Sequence, residues 1–194
     1  MKRNIFISVM LTMLIVLIFG TAFGQLGIRK GIKGGYNWAK LSSDSLNNIH
    51  SIKSLTGGIS LEFNILNLLS LQTDVLYSPR GSLVGNNVEI KLKYLSIPVI
   101  LKRKFFPVGI HPYLLIGPEI NFLLSASRDG ADIKNMVNQE DFALVTGGGV
   151  EFSFLGKGAY IEGRYSYGLN SIYSDAVSQN SKNRVYQIFG GFLL

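Results

Sequence analysis

From residue 27 onward the chain alternates apolar and polar positions with period two in stretches of ten to eighteen residues, broken by Asn, Ser, Asp and Gly clusters. No sustained 3.6-residue stripe competes with this pattern. The alternation predicts eight strands, over residues 28–41, 52–64, 69–80, 88–105, 112–125, 141–154, 158–170 and 184–194. The connections after the second, fourth and sixth are tight (Ile65 to Leu68, Phe106 to Ile110, Leu155 to Lys157). Those after the first, third, fifth and seventh are long and polar (Ser42 to Ser51, Gly81 to Asn87, Ala126 to Glu140, Ser171 to Asn183). Short turns at one end, long loops at the other and an even strand count predict an all-β fold, an eight-stranded antiparallel up-and-down transmembrane β-barrel.

The phase of the charged residues assigns the two faces. In the sixth strand Phe142, Leu144, Thr146, Gly148, Val150, Phe152 and Phe154 share one face. In the third, Leu71, Thr73, Val75 and Tyr77 do, and in the fifth Leu114, Ile116, Pro118, Ile120 and Phe122. Five acids within strand bodies, Glu62, Asp74, Glu119, Glu151 and Glu162, all fall on the opposite face, which random choice would give about one time in thirty. Lys33, Lys102 and Arg164 share that phase. These eight residues are expected to form a polar network inside a narrow, side-chain-filled lumen, where an unpaired charge would be costly. Lys40, Lys53, Lys91 and Lys93 take the outward phase at the long-loop end, a basic collar expected to meet anionic lipid headgroups. There a charge costs almost nothing, against about 2 to 4 kcal/mol at the midplane. Pro98 and Pro118 each lack a donor and are expected to lie nearly opposite, marking one bulge or ladder gap.

Composition sharpens this picture. Mean hydropathy is +0.27, with 47% hydrophobic and only 16% charged residues. After residue 20 no apolar run reaches the roughly 20 residues of a membrane helix; strands facing lipid account for the surplus. The first 24 residues read as a secretory signal peptide, with Lys2 and Arg3, an apolar stretch from Ile5 to Phe19, and small residues at Ala22 and Gly24. Cleavage is expected after Gly24, leaving residues 25–194 as the barrel domain; an uncleaved anchor helix is the alternative. There is no cysteine, which removes thiol catalysis and Cys-ligated metals.

Further motifs resemble a known family. Gly34, Gly35, Tyr36, Asn37, the run Leu71 to Ser78 leading to Gly81, and Tyr94, Leu95, Ser96, Ile97, Pro98, Val99 resemble the PorT-type outer-membrane β-barrel proteins of the Bacteroidota. So do Pro112 and Tyr113 with Gly117 and Pro118, and Arg164 to Leu169. The resemblance covers nearly the whole mature chain and carries no catalytic residue. It implies an eight-stranded barrel in the outer membrane. One member of the family is tied to type IX protein secretion, a role that strand patterns do not carry over. Such strands commonly end in an aromatic residue, whereas this chain ends Phe192, Leu193, Leu194.

Candidate chemistry is sparse. His111 reads as a turn residue. His50, near Ser51 and Asp44 in the first long loop, is the one constellation that would suit an outer-membrane lipid-modifying enzyme, but without an oxyanion element. Gly147, Gly148 and Gly149 lack the Lys-Ser/Thr of a phosphate loop, and Asp129 and Asp132 lack calcium-loop spacing. Trp38 and the tyrosines read as interfacial aromatics. Seventeen Lys and Arg against twelve acids in the mature chain form no basic helix suited to nucleic acid. The expectation is a monomeric, non-enzymatic barrel with no cofactor and no nucleic-acid partner. It would contact outer-membrane lipid and, through its loops, a protein of the envelope or of a secretion system. A lipid-modifying enzyme or a narrow pore is the alternative function; a soluble lipocalin-like cup is the alternative fold, and it would need the opposite facing of its strands.

Overall fold

The computed structural model describes residues 27–43, 49–84, 88–106, 109–154, 157–170 and 181–194. Eight long strands carry the chain: β1 (Ile28–Ser43), β2 (Ile49–Leu66), β3 (Leu69–Val84), β4 (Val88–Lys104), β5 (Ile110–Arg128), β6 (Glu140–Phe154), β7 (Lys157–Gly168) and β8 (Ser181–Leu193). Each pairs antiparallel with its sequence neighbour, and β8 pairs with β1 from Gly31↔Leu193 to Ser43↔Ser181, closing the barrel. Closure reaches the last residue, since Leu194 N–H donates to the Lys30 carbonyl at 2.7 Å and Lys30 N–H returns a bond at 3.1 Å. No helix among the described residues is long and apolar enough to cross a membrane; spanning falls to strands that satisfy every backbone group sideways.

The period-two pattern is realised as an inverted protein. Ile32, Leu55 and Ile161 are 64%, 68% and 66% exposed on the outer wall, while Lys33, Glu62 and Glu162 on the alternate phase are buried. Within the outward phase, Leu71, Ile120 and Phe142 depart from the expected open surface and are buried. Ile120 stands in register with both Ile97 and Phe142, and Leu71 with Phe63 and Leu101, so bulky neighbours shield one another across the strands. A barrel this narrow bends its strands sharply, and inward glycines permit it. A Cβ on Gly35 would lie 1.8 Å from the Ile188 carbonyl oxygen, and one on Gly117 1.9 Å from that of Val99.

Most strands run further toward the loop end than the sequence pattern suggested. The connection expected over Gly81 to Asn87 is thereby corrected: β3 and β4 stay paired as far as Val84↔Val88, leaving only residues 85–87, which lie outside the described set. Between Ala126 and Glu140 a hairpin turns at Asp129 and Gly130, both at positive φ (49° and 84°), and returns as a two-residue strand, Ala131–Asp132. Asp-Gly suits that two-residue turn because both positions need left-handed backbone. The prolines mark a gap. Pro98 pairs with Glu119, the next pairing of β4 with β5 is Leu101↔Ile116, and β3 likewise skips from Thr73↔Val99 to Leu76↔Ser96. The register is unchanged across the gap, whereas the bulge lies elsewhere, between Lys93↔Ser125 and Tyr94↔Leu123.

Candidate functional site

The inward phase builds a lumen of three polar tiers. At the turn end, Arg29, Lys102 and Lys104 surround Glu62 and Glu151. Lys102 Nζ lies 3.0 Å from Glu62 and 3.1 Å from Glu151, Lys104 repeats both contacts at 3.0 and 3.1 Å, and Arg29 holds Glu151 at 2.6 Å and also pairs with Glu62. In the middle, Lys33 and Arg164 face Asp74 and Glu162 in a four-membered ring of contacts between 2.8 and 3.0 Å. Tyr113 donates to Glu162 at 3.0 Å and Gln72 to Asp74 at 2.9 Å. Toward the loops, Arg80 reaches Glu119 at 3.0 Å, Asn121 at 2.8 Å and Asp141 at 3.7 Å, with Ser166 donating to Glu119 and Asn183 to Asp141. Gln187 and Asn37 are joined at 3.0 Å beside this tier.

Among the described residues the lumen therefore pairs six cations (Arg29, Lys33, Arg80, Lys102, Lys104, Arg164) with six carboxylates (Glu62, Asp74, Glu119, Asp141, Glu151, Glu162). Mutual pairing offsets the desolvation that each charge would suffer alone. Aromatic rings fill the remaining width: Lys102 Nζ sits 4.0 Å from the Tyr113 ring centre, and Lys33 lies 5.1 Å from Phe189. Tyr94, Tyr113 and Tyr160 are buried here, a correction to the reading of the tyrosines as interfacial; Tyr36, Tyr77 and Tyr186 do stand on the outer wall. Above the loop-end tier the inner faces of β4 and β5 turn apolar. Ile90, Leu92, Tyr94, Leu123 and Ala126 bury Val137, which follows the short 3₁₀ turn Lys134–Met136 and folds back into the mouth with Ile133.

Each residue singled out in the sequence can now be located. Lys33, Glu62, Asp74, Lys102, Glu119, Glu151, Glu162 and Arg164 are all buried in the tiers. The network also contains Arg29, Arg80, Lys104 and Asp141, which sequence reasoning missed although their phase matches that of Lys33, Asp74, Lys102 and Glu151. They lie near strand ends, where the pattern leaves the boundary uncertain by several residues. Lys53, Lys91 and Lys93 are exposed at the loop end, Lys53 Nζ lying 4.8 Å and 5.2 Å from the Tyr36 and Trp38 rings. Lys40 lies in β1 opposite Arg184, its side chain outside the described residues. The cleavage position after Gly24 and Asp44 also lie outside them, while His50 and Ser51 sit in β2 opposite Leu83 and Ser82. His111 is not in the turn but second in β5, buried, with its Nδ1 donating to the Phe106 carbonyl at 2.5 Å. Among the described residues no group of three His, Cys, Asp or Glu side chains could hold a metal.

Residues 23–174 match the family described as outer membrane protein beta-barrel domain. No curated protein matches the chain. Among solved structures, Neisserial surface protein A is similar at 20% identity with a TM-score of 0.59, over 87% of this chain and 98% of that one. Ail, the attachment invasion locus protein of Yersinia pestis, gives 14% identity and a TM-score of 0.50 over 86% and 98%. OprG of Pseudomonas aeruginosa gives 14% and 0.50 over 88% and 98%. At such identities the likeness speaks for the fold alone.

Proposed function

Because the chain belongs to the family of outer membrane protein β-barrel domains, we propose that it serves there as a closed, monomeric, non-enzymatic barrel, displaying its long loops to a partner at the cell surface. The carrying observation is the lumen: six cations and six carboxylates bonded to one another, with aromatic rings between them, leave the interior occupied by side chains. An eight-stranded barrel has room for such a filling and for little besides. The role then belongs to the loops and the outer wall, with Lys40, Lys53, Lys91 and Lys93 meeting anionic headgroups. The partner would be a component of the envelope or of a protein-secretion assembly.

Planar-bilayer recording tests the closed lumen. No conductance steps are expected from the purified barrel, and reproducible single-channel steps would replace this reading with a narrow pore. Mass spectrometry of phospholipid and lipopolysaccharide incubated with the protein tests the non-enzymatic assignment. No deacylated product is expected, whereas a product lost on His50→Ala would establish the lipid-modifying alternative.

A further inference from the structure

The outer wall is not uniformly bulky. Across β6, β7, β8 and β1 it holds a depression of about 400 Å³, bordered by Trp38, Tyr165, Tyr186, Ile188 and Thr146, with Gly163 in its floor. The register explains its shape. One row of outward residues runs Trp38–Tyr186–Tyr165–Thr146, with the Tyr165 and Tyr186 rings 4.8 Å apart; the next runs Tyr36–Ile188–Gly163–Gly148; the third carries Gly57, Gly34 and Gly190 side by side. An aromatic wall thus stands over a gap left at Gly163 beside Ile188, on the surface that faces lipid.

The outward glycines of these strands differ from the inward ones. A Cβ on Gly163 would meet nothing within 4 Å, one on Gly190 would come no nearer than 3.9 Å to any atom, and one on Gly34 no nearer than 4.0 Å. Backbone packing does not require glycine at any of the three, and glycine weakens a strand wherever a side chain would fit. At Gly163 that smallness opens the hollow. Its loop-end border is cationic: Lys53 is in register with Trp38, and Arg184, one outward position above Tyr186, lies 5.7 Å from the Tyr167 ring. No Asp or Glu occupies the outward phase of β1, β2, β7 or β8 among the described residues; on β6, Glu140 takes that phase at the loop end.

We propose that this depression seats an acyl chain of a phosphate-bearing lipid, whose phosphate is held by Lys53 and Arg184 at the rim. The proposal deepens the headgroup role given to the basic collar: it adds Arg184, singles out one side of the barrel, and supplies a hollow where the collar alone offers only charge. Aromatic rings at the membrane interface and cations just above them match the two ends of such a lipid.

Native mass spectrometry of the full barrel, drawn from vesicles of equal dipalmitoyl phosphatidylglycerol and dipalmitoyl phosphatidylcholine, tests this. The unaltered protein is expected to retain one phosphatidylglycerol in clear preference. Lys53→Glu with Arg184→Glu should cut that preference about tenfold or more, whereas Gly163→Leu should abolish retention of both lipids with normal heat-dependent gel mobility. Thr146→Trp gives a second filling variant should Gly163→Leu fold poorly. Retention unchanged in the filled variants overturns the seat, even where charge reversal still lowers the preference, an outcome that leaves the collar reading standing. A dimer that the filled variants convert to monomer also overturns it, by assigning the hollow to a second copy of the chain.

Discussion

The two ends of the lumen are held by different physics. At the turn end both carboxylates are saturated: Glu62 and Glu151 each receive Arg29, Lys102 and Lys104, and Ser153 adds a bond to Glu151 at 2.9 Å. At the loop end one cation, Arg80, serves two carboxylates, and Glu119 Oε2, Asp141 Oδ1 and Arg80 Nε find no hydrogen-bond partner within the protein. What closes that end is apolar, Val137 set among Ile90, Leu92, Tyr94, Leu123 and Ala126. The turn end is locked by ion pairs, and the mouth is stoppered by a hydrophobic contact of the kind a soluble protein uses.

The contrast can be broken at its strong end first. Replacing Glu151 with Leu leaves three cations sharing Glu62 and should cost about 3–5 kcal/mol, read as a lower urea midpoint in the gel-shift unfolding of the barrel; a cost below about 1 kcal/mol would remove the distinction between the ends. Val137→Ala takes two methyl groups from the stopper and should cost about 1–2 kcal/mol in the same assay. It should also raise hydrogen exchange in residues 129–139 and leave that of β1 and β8 alone. Asp141→Asn is the mildest change. It keeps the bond to Asn183 and lets Arg80 serve Glu119 alone, so stability should stay within about 1 kcal/mol of the unaltered protein. A loss as large as that of Glu151→Leu would show the two tiers to be equally bound.

How much of this could be read from the sequence follows from which interactions are periodic. The facing of Glu62, Asp74, Glu119, Glu151 and Glu162 was legible because period two is a covalent property of a strand. Arg80 and Asp141 carried the same signal and were overlooked near strand ends that the sequence leaves uncertain by several residues. Val137 and Ile133 were not legible at all, since they lie in an aperiodic segment whose place in the mouth is decided by the hairpin at Asp129 and Gly130. Nor was the hollow in the outer wall. Trp38, Thr146, Gly163 and Tyr186 are far apart in sequence, and only the register between strands gathers them.

The bonds between Lys30 and Leu194 have a kinetic meaning. β1 cannot complete its second ladder until β8 has arrived, so the barrel stays open while the strands between them are in transit. Until then two unpaired edges are exposed, each a template for the wrong strand. The loop that must be closed spans nearly the whole barrel domain, the slowest kind of contact to make. The final step is therefore all or none, and a chain shortened at its C-terminus should stall open, available to whatever binds free strand edges.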